Sequence, residues 1–271
     1  MLKTGLVQFS CLEGQVEENC RNIERAVRKH AGDVDLLCFP ELCVSGYDFR
    51  RAKDSVKEKE FFAGLSRKYK VAIMAGVNVC EEGKYYDAAC LWDEEGALLG
   101  EYRKIHLWDK ESEFFERGEN LAVIPFKGWK IGLLLCADMR FFEVSTPLKN
   151  MGADVIFYPS AWAYGWKDLF HLCGRMRAAE NQIYAIALNR ASGDVKYCGG
   201  TAVMAPDGSL ACSLEDDGEG CLKAQLKKEE IQKVRDNLAW ESMKLPQIMK
   251  NTTDTGLRTM RNKYSMNKRR R

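Results

Sequence analysis

The chain has 271 residues, a net charge of +2, 46% hydrophobic residues and 30% charged residues. These values are typical of a globular protein that buries a full core. No stretch approaches the roughly 18 uncharged apolar residues that cross a bilayer, and the start MLKTGLVQFS lacks a basic segment followed by a longer apolar one. We therefore expect no membrane span, no export and a cytoplasmic location.

The eleven cysteines are scattered through apolar runs. The closest two are Cys38 and Cys43, so the chain has no CxxC spacing. Because His30, His106 and His171 are its only histidines, a zinc site would lack ligands. We expect reduced thiols and no bound metal.

Positive charge is concentrated at the C-terminal end. Residues 251–271 contain seven lysines and arginines against the single acid Asp254. Such a run can bind nucleic acid or an acidic partner, but solvated termini are the commoner case. We therefore predict one domain over residues 1–250 and a basic, flexible tail over residues 251–271, and we do not expect a nucleic-acid partner.

In chain order, apolar runs rich in β-branched residues alternate with amphipathic stretches, the pattern of layered α/β proteins. Strands are predicted at 3–9, 35–39, 71–78, 88–92, 130–135, 155–158, 183–189, 200–205 and 220–224. Helices are predicted at 17–29, 55–69, 141–151, 166–181 and 227–237.

The two halves of the chain resemble each other weakly and in the same order. The matching segments are KTGLVQF (3–9) with KIGLLLC (130–136), GDVDLLCFPE (32–41) with GADVIFYPSA (152–161), and VAIMAGVN (71–78) with IYAIALNR (183–190). Two such α/β halves would pack their free sheet faces together. We predict a four-layer αββα sandwich with an internal pseudo-twofold repeat, folded as one domain.

Cys136 ends an apolar run and precedes a predicted helix, so it lies at a strand-to-helix turn. An α/β scaffold can expose a nucleophile at such a turn, where the next backbone N–H groups can hold an oxyanion. A cysteine in this context is nevertheless more often a small buried apolar residue. Its position alone does not decide between the two interpretations.

Glu41 follows Pro40 at the end of another predicted parallel strand, and such strand ends collect functional groups on one rim. A carboxylate beside a thiol could take its proton as a base and return it to a leaving amine. An exposed loop acid is the alternative.

Lys104 and Glu111 belong to the charged, aromatic segment 101–118, which is too irregular for a core element. A lysine near the thiol would favour the thiolate and stabilise a tetrahedral intermediate. A solvated surface lysine is again the alternative.

Six segments together resemble, in order, the motifs of the nitrilase-like carbon–nitrogen hydrolases. They are PheProGluLeuCysValSerGlyTyr (39–47), ArgLysIleHisLeuTrp (103–108), GluSerGluPhePheGluArgGly (111–118), LeuLeuCysAlaAspMetArgPhePheGlu (134–143), TyrProSerAlaTrp (158–162) and ArgMetArgAlaAlaGluAsn (175–181). The resemblance covers most of residues 1–250. It implies an αββα sandwich in which Glu41, Lys104 and Cys136 are catalytic and Glu111 positions the lysine and the reacting species.

The resemblance also implies cofactor-free hydrolysis of a small amide through a thioester acyl-enzyme, with release of ammonia and a carboxylic acid. The substrate could be an ω-amide of a carboxylic acid. The alternative is an N-carbamoyl amidohydrolase, which uses the same four groups on a ureido carbon. Nitrile hydrolysis is disfavoured, because nitrilases commonly carry a tryptophan where Ala137 follows the nucleophile. An idle scaffold that binds nucleic acid through the tail would not need all four groups.

Residues outside this set are assigned from the same resemblance. His106 is expected to organise its loop, and Arg140 and Glu143 are expected to form an ion pair behind the nucleophile turn. The family also implies a homodimer, to which the apolar stretch 238–249 would contribute. The residues at positions that line the family's substrate pocket are Tyr47, Phe115, Ala137 and Trp162.

Overall fold

The computed structural model describes residues 1–49 and 57–243. Residues 1–232 form one compact unit, and a second unit begins at Lys233. The boundary that we predict at residue 250, and the tail beyond it, lie outside the described residues. Within the described part, no helix combines the length and apolar character that a membrane span requires.

The described strands form two six-stranded mixed sheets. The first has the order β12-β1-β2-β3-β4-β5, and the second has the order β11-β10-β9-β8-β7-β6. The strands are β1 (Leu2–Gln8), β2 (Leu36–Cys38), β3 (Ala72–Glu81), β4 (Lys84–Trp92), β5 (Leu98–Arg103), β6 (Val123–Phe126), β7 (Trp129–Leu133), β8 (Val155–Pro159), β9 (Tyr184–Leu188), β10 (Ala202–Met204), β11 (Leu210–Ser213) and β12 (Gly220–Leu226).

Five described helices follow the predicted positions closely. They are α1 (Val16–His30), α2 (Glu58–Tyr69), α3 (Phe142–Asn150), α4 (Lys167–Asn181) and α5 (Lys228–Asn237). The predicted start of α2 at residue 55 lies outside the described residues. On α1, Ile23 and Val27 are fully buried while glutamate and arginine side chains on the other face are exposed, so one apolar stripe fixes its orientation.

The side chains of the first sheet's interior strands alternate between two cores. Leu37, Ile73 and Val77 of the first sheet pack with α1 and α2, whereas Leu36 and Met74, which point the other way, join the core shared with the second sheet. Helices α3 and α4 cover the second sheet. The four-layer αββα sandwich is therefore confirmed.

The internal repeat is visible in the topology. Strands β1, β2 and β3 are parallel neighbours, as are β7, β8 and β9, and each triplet continues into two antiparallel strands. One further antiparallel strand completes each sheet, β12 beside β1 and β6 beside β7. Corresponding strands of the two halves therefore end at equivalent positions. Glu41 follows β2 in the first half, and Cys136 follows β7 in the second.

Candidate active site

Cys136 stands three residues beyond the end of β7. Its φ of +39° lies in the left-handed region, and the 3-10 helix Cys136–Arg140 begins with it. A side chain in this conformation costs about 1–2 kcal/mol, so the turn is maintained by its surroundings. Asp138 supplies part of that support, since its carboxylate accepts hydrogen bonds from Leu135 N at 3.0 Å and from Tyr102 Oη at 2.7 Å.

The segment that follows β5 is attached to the same carboxylate. The backbone N–H of His106 donates to Asp138 Oδ1 at 3.0 Å, and the His106 ring Nδ1 lies 2.8 Å from that oxygen. The ring also stacks on Phe141 with centroids 4.0 Å apart. His106 therefore ties its loop to the nucleophile turn.

Glu41 lies in a turn after β2 and is fully buried. The turn is packed against β3, because Gly76 N donates to Pro40 O at 3.2 Å and Cys43 N donates to Gly76 O at 3.2 Å. A Cβ on Gly76 would lie 2.4 Å from the Cα of Glu41, so only glycine permits this approach.

Lys104 follows β5 and is fully buried, although the sequence alone left a solvated lysine open. Its N–H donates to Asp87 O on β4 at 2.9 Å, which extends the strand pairing by one residue. The ammonium nitrogen lies 2.6 Å from Glu41 Oε1, 2.8 Å from Glu111 Oε1 and 3.3 Å from Asp87 Oδ2. The charged segment 101–118 thus begins as a strand and carries a buried ion cluster.

Glu111 and Tyr47 close the cluster. Glu111 lies in the 3-10 helix Asp109–Glu113 and accepts a hydrogen bond from Trp108 N at 2.7 Å. The Tyr47 hydroxyl donates to Glu41 Oε2 at 2.7 Å and also contacts Glu111 Oε1 at 3.1 Å. A single network of hydrogen bonds therefore joins Glu41, Lys104, Glu111 and Tyr47.

Neighbouring charges in the cluster shift one another's pKa values. Burial opposes the charged form of both Glu41 and Lys104, but each is adjacent to the other, and the pKa of Glu41 is lowered while that of Lys104 is raised. Burial and the Glu41 charge raise the pKa of Cys136 well above its usual value, and Lys104 only partly opposes them. The expectation that Lys104 would favour the thiolate is therefore not met, because the pKa of the Cys136 thiol is raised and not lowered.

Three carboxyl groups, those of Glu41, Asp87 and Glu111, have oxygens within 4.8 Å of one another, a grouping that could hold a metal ion. The Lys104 ammonium lies within 3.3 Å of all three. A protein cation thus already occupies the position between them, and a metal ion would have to displace it.

Cys136 opens onto a cavity of about 220 Å³. This is room for roughly seven water molecules at about 30 Å³ each, so it suits a small substrate. Tyr47, Ala137 and Trp162 line it as predicted, whereas Phe115 does not. Phe115 is buried and packs edge-on against Phe49 with centroids 5.3 Å apart. The other lining residues are Trp108, Arg140, Ala161, Ala163, Trp166 and Tyr197.

Arg140 lines the same cavity, and its expected ion pair with Glu143 is absent from the described residues. Its guanidinium carbon lies 4.1 Å from the ring centre of Trp162, 4.9 Å from that of Trp108 and 5.6 Å from that of Trp166. Among the described residues it makes no hydrogen bond or ion pair with a carboxylate. Glu143 instead lies 3.8 Å from His106 Nε2.

A sequence profile of the carbon-nitrogen hydrolase family matches residues 3–236. The chain belongs to this family. As a nitrilase-superfamily carbon–nitrogen hydrolase, it acts on amides.

Among its relatives are an (R)-stereoselective amidase of a Pseudomonas species, 31% identical over 77% of this chain and 79% of the relative, and omega-amidase NIT3 of Saccharomyces cerevisiae, 31% identical over 86% and 90%. The crystal structure of Saccharomyces cerevisiae Nit3 superposes with a TM-score of 0.79 at 28% identity, covering 88% of this chain and 94% of that one.

Sequence reasoning about this hydrolase missed two buried groups at the site, Asp87 and Arg190. Asp87 directly precedes the predicted strand 88–92, and an acid bordering an apolar run is the only signal that it leaves. Arg190 follows β9 and is fully buried, donating through Nη2 to Leu42 O at 2.7 Å. An arginine immediately after a buried strand was the corresponding signal.

Proposed function

We propose that this hydrolase cleaves the terminal amide of a small substrate that carries a carboxylate at its other end, with Cys136 as nucleophile. The observation that carries the proposal is that Cys136 and Arg140 line one small cavity, and that the Arg140 guanidinium has no acidic partner among residues 1–49 and 57–243. A thiol and a fixed cation in the same cavity select a substrate with an amide and an anion.

The proposed reaction begins when Glu41 takes the thiol proton of Cys136 while the sulfur attacks the amide carbon. The negative oxygen that forms would be stabilised by the Lys104 ammonium and the backbone N–H of Ala137. Asp138 N already donates to Leu135 O at 2.8 Å and is not available for this task.

Collapse of the tetrahedral intermediate would break the C–N bond. Glu41 returns its proton to the departing amine, ammonia leaves, and the acyl group remains on Cys136 as a thioester. A water molecule that gives its proton to Glu41 then attacks the thioester, and the sulfur leaves with that proton. Glu111 would act as a positioning residue, since it accepts hydrogen bonds from Lys104 and from Trp108 N.

The substrate class follows from the guanidinium of Arg140. Its planar set of N–H donors matches a carboxylate in two parallel hydrogen bonds, and the aromatic rings around it limit its hydration. Two relatives have names that fit such a substrate, the yeast omega-amidase NIT3 and a 2-oxoglutaramate amidase of Bacillus subtilis that is 28% identical. We therefore propose monoamides of short dicarboxylic acids.

An N-carbamoyl amino acid also carries a carboxylate and remains the second candidate. The two differ in their products, because an amide releases ammonia alone, whereas a carbamoyl compound releases ammonia, carbon dioxide and a free amine. A nitrile substrate is disfavoured, because Ala137 stands directly after the nucleophile, where nitrilases commonly have a tryptophan.

The test is an ammonia-release assay over neutral amides, dicarboxylic monoamides and N-carbamoyl amino acids of matched length. The wild type should prefer the monoamide to the neutral amide, and Arg140→Met should lower kcat/KM for the anionic substrate by roughly 10- to 100-fold, the value of a charge-assisted hydrogen bond. The neutral amide should be much less affected. Arg25→Met on α1, whose side chain is 65% exposed, is the matched control. Equal losses on charged and neutral amides would reject anion recognition by Arg140.

A further inference from the structure

The Lys104 cluster contains more acids than one cation can balance. Glu41, Asp87 and Glu111 are each at most 2% exposed, and among the described residues Lys104 is the one cation that forms an ion pair with their carboxyl groups. Three ionised carboxylates would leave two uncompensated negative charges in a closed site, which is far more costly than protonation of one acid. At least one of the three therefore carries a proton.

Hydrogen bonding distinguishes the three acids. Glu41 accepts from Lys104 and from the single hydroxyl proton of Tyr47, and Glu111 accepts from Lys104 and Trp108 N. Neither side-chain oxygen of Asp87 has a donor in hydrogen-bonding geometry among the described residues. An ionised Asp87 would have only the Lys104 ammonium at 3.3 Å, which it shares with two other acids and which does not donate to it in hydrogen-bonding geometry, whereas a protonated carboxyl supplies its own donor.

The acceptor for that proton is the neighbouring Glu41. Oxygens of the Asp87 and Glu41 carboxyl groups lie within 4.8 Å of each other, and two buried carboxyl groups this close share a proton because both cannot remain ionised. Because Glu41 has other donors and Asp87 does not, the proton belongs to Asp87.

We propose that Asp87 remains protonated in the resting enzyme and donates a hydrogen bond to Glu41, which keeps Glu41 ionised and oriented as the base. Asp87 is then a positioning residue whose own proton stays in place during the reaction. The role of Glu41 as the base rests on the proposed function, but the protonation of Asp87 does not.

The electrostatics of the site agree with this geometry. Burial and the Glu41 charge raise the pKa of Asp87 well above its usual range, and Lys104 only partly opposes them. Burial would also raise the pKa of Glu41, but Lys104 and the hydrogen bonds from Asp87, Lys104 and Tyr47 hold it below its usual range. Burial raises the pKa of Glu111 too, but Lys104 and the backbone N–H of Trp108 donate hydrogen bonds to Glu111, whereas Asp87 has no such donor among the described residues.

The first test needs no substrate. The infrared spectrum of the wild type should contain the C=O stretch of a protonated carboxylic acid, and Asp87→Asn should remove it. Asp138→Asn is the matched control, because Asp138 is equally buried but accepts hydrogen bonds from Tyr102, Leu135 and His106. A protonated-acid band that Asp87→Asn leaves in place would overturn the proposal, whatever the enzyme hydrolyses.

The second test uses the acid limb of the pH profile of kcat/KM, which reports the base of the free enzyme. Loss of a neutral donor raises the pKa of Glu41, whereas loss of an anion lowers it. Asp87→Ala should therefore move the acid limb to higher pH and lower kcat on the order of tenfold or more. Asp87→Asn, which restores an N–H donor, should recover most of both losses. A limb that moves to lower pH or stays in place, or failure of asparagine to rescue, would show that Asp87 is not a neutral donor to the base.

Discussion

The guanidinium of Arg190 donates from Nε to the backbone carbonyl oxygen of Glu41 at 2.9 Å. Arg190 follows β9 in the second half of the repeat, and Glu41 follows β2 in the first. The same arginine contacts Leu42, whose φ of +45° lies in the left-handed region. The turn that carries the proposed base is thus fixed by a side chain from the other sheet and not by its local sequence.

Gly76 should be as necessary to this turn as the arginine. A methyl group at Gly76 would lie 2.4 Å from Glu41 Cα and 2.8 Å from Pro40 O, both backbone atoms that cannot move alone. Gly76→Ala should lower stability by about 1–3 kcal/mol and kcat on the order of 10²-fold, as measured by denaturation and ammonia release. Gly64→Ala on α2, where the space is open, is the control and should be neutral or stabilising. A Gly76→Ala enzyme with wild-type kcat would contradict the packing argument.

Cys136→Ala should abolish turnover and leave thermal unfolding nearly unchanged, whereas Cys212→Ala should retain activity. Because burial and Glu41 raise the pKa of Cys136, alkylation of the ligand-free thiol by iodoacetamide should be slow near neutral pH and should accelerate as the pH rises. Mass spectrometry of the labelled cysteines gives the rate. Activity of Cys136→Ala within tenfold of the wild type would reject it as the nucleophile.

Lys104→Met should destabilise the fold by about 3–5 kcal/mol, because it leaves buried acids without a cation. Glu41→Gln alone should fold and lose kcat on the order of 10²-fold. The double variant should be more stable than Lys104→Met, since it removes one uncompensated charge, and its kcat loss should be smaller than the product of the two single losses. The exposed pair of Lys68 with Glu24 gives the control, where Lys68→Met should cost less than about 1 kcal/mol. Simple additivity in both measurements would mean that the groups act separately.

Asp87 should also make stability depend on pH. The group faces Glu41, Lys104, Glu111 and Tyr47, and its pKa in the folded protein lies well above the unfolded value. The native state then retains a proton that the unfolded chain has lost, so stability is full below the unfolded pKa and falls as pH rises toward the folded pKa. Relative to Asp87→Asn, the wild type should lose up to about 1.4 kcal/mol per pH unit in that range. Denaturant titrations at about pH 5 and about pH 8 measure the difference, which should stay constant if Asp87 is ionised.

Assembly into a homodimer remains a prediction. The stretch 238–249 is rich in apolar residues. Of its described residues, Trp240 and Met243 are exposed. Residues 244–249 lie outside the described part. Docking on a second copy would remove this surface from water. Truncation after Ala239 should weaken a dimer seen by light scattering, and truncation after Lys250 should not. A monomer at micromolar concentration would reject the prediction.

All nine strands expected from the sequence are present, and the three that were missed lie at sheet edges. Edge strands have one free side and less burial, so they lack the continuous apolar run that reveals an interior strand. β5 contains Gly100 and Glu101, β6 contains Pro125, and β11 is half-exposed. Hydrophobic patterning therefore predicts the interior of each sheet better than its margins.

At the site, the predicted strand ends pointed to Glu41 and Cys136, because parallel strands present their ends on one rim, whereas Lys104 and Glu111 were assigned only from the resemblance to the carbon–nitrogen hydrolases. The sequence did not indicate Asp87, because its role depends on its proximity to Glu41 and Lys104, which arises only in the folded chain. The direction of the Arg140 side chain could not be predicted either, since the same helical turn could point it toward Glu143 or into the cavity. Side-chain direction and charge partnership are tertiary properties, and residue spacing does not encode them.

The reacting groups are divided between the repeats, with Glu41 and Lys104 in the first sheet and Cys136 at the end of β7 in the second. A molecule in which both sheets have formed but have not docked would show native-like circular dichroism and still have no complete site. During refolding, recovery of turnover should consequently lag behind recovery of the far-ultraviolet circular dichroism signal. The interval between the two recoveries measures the time that the two sheets need to dock.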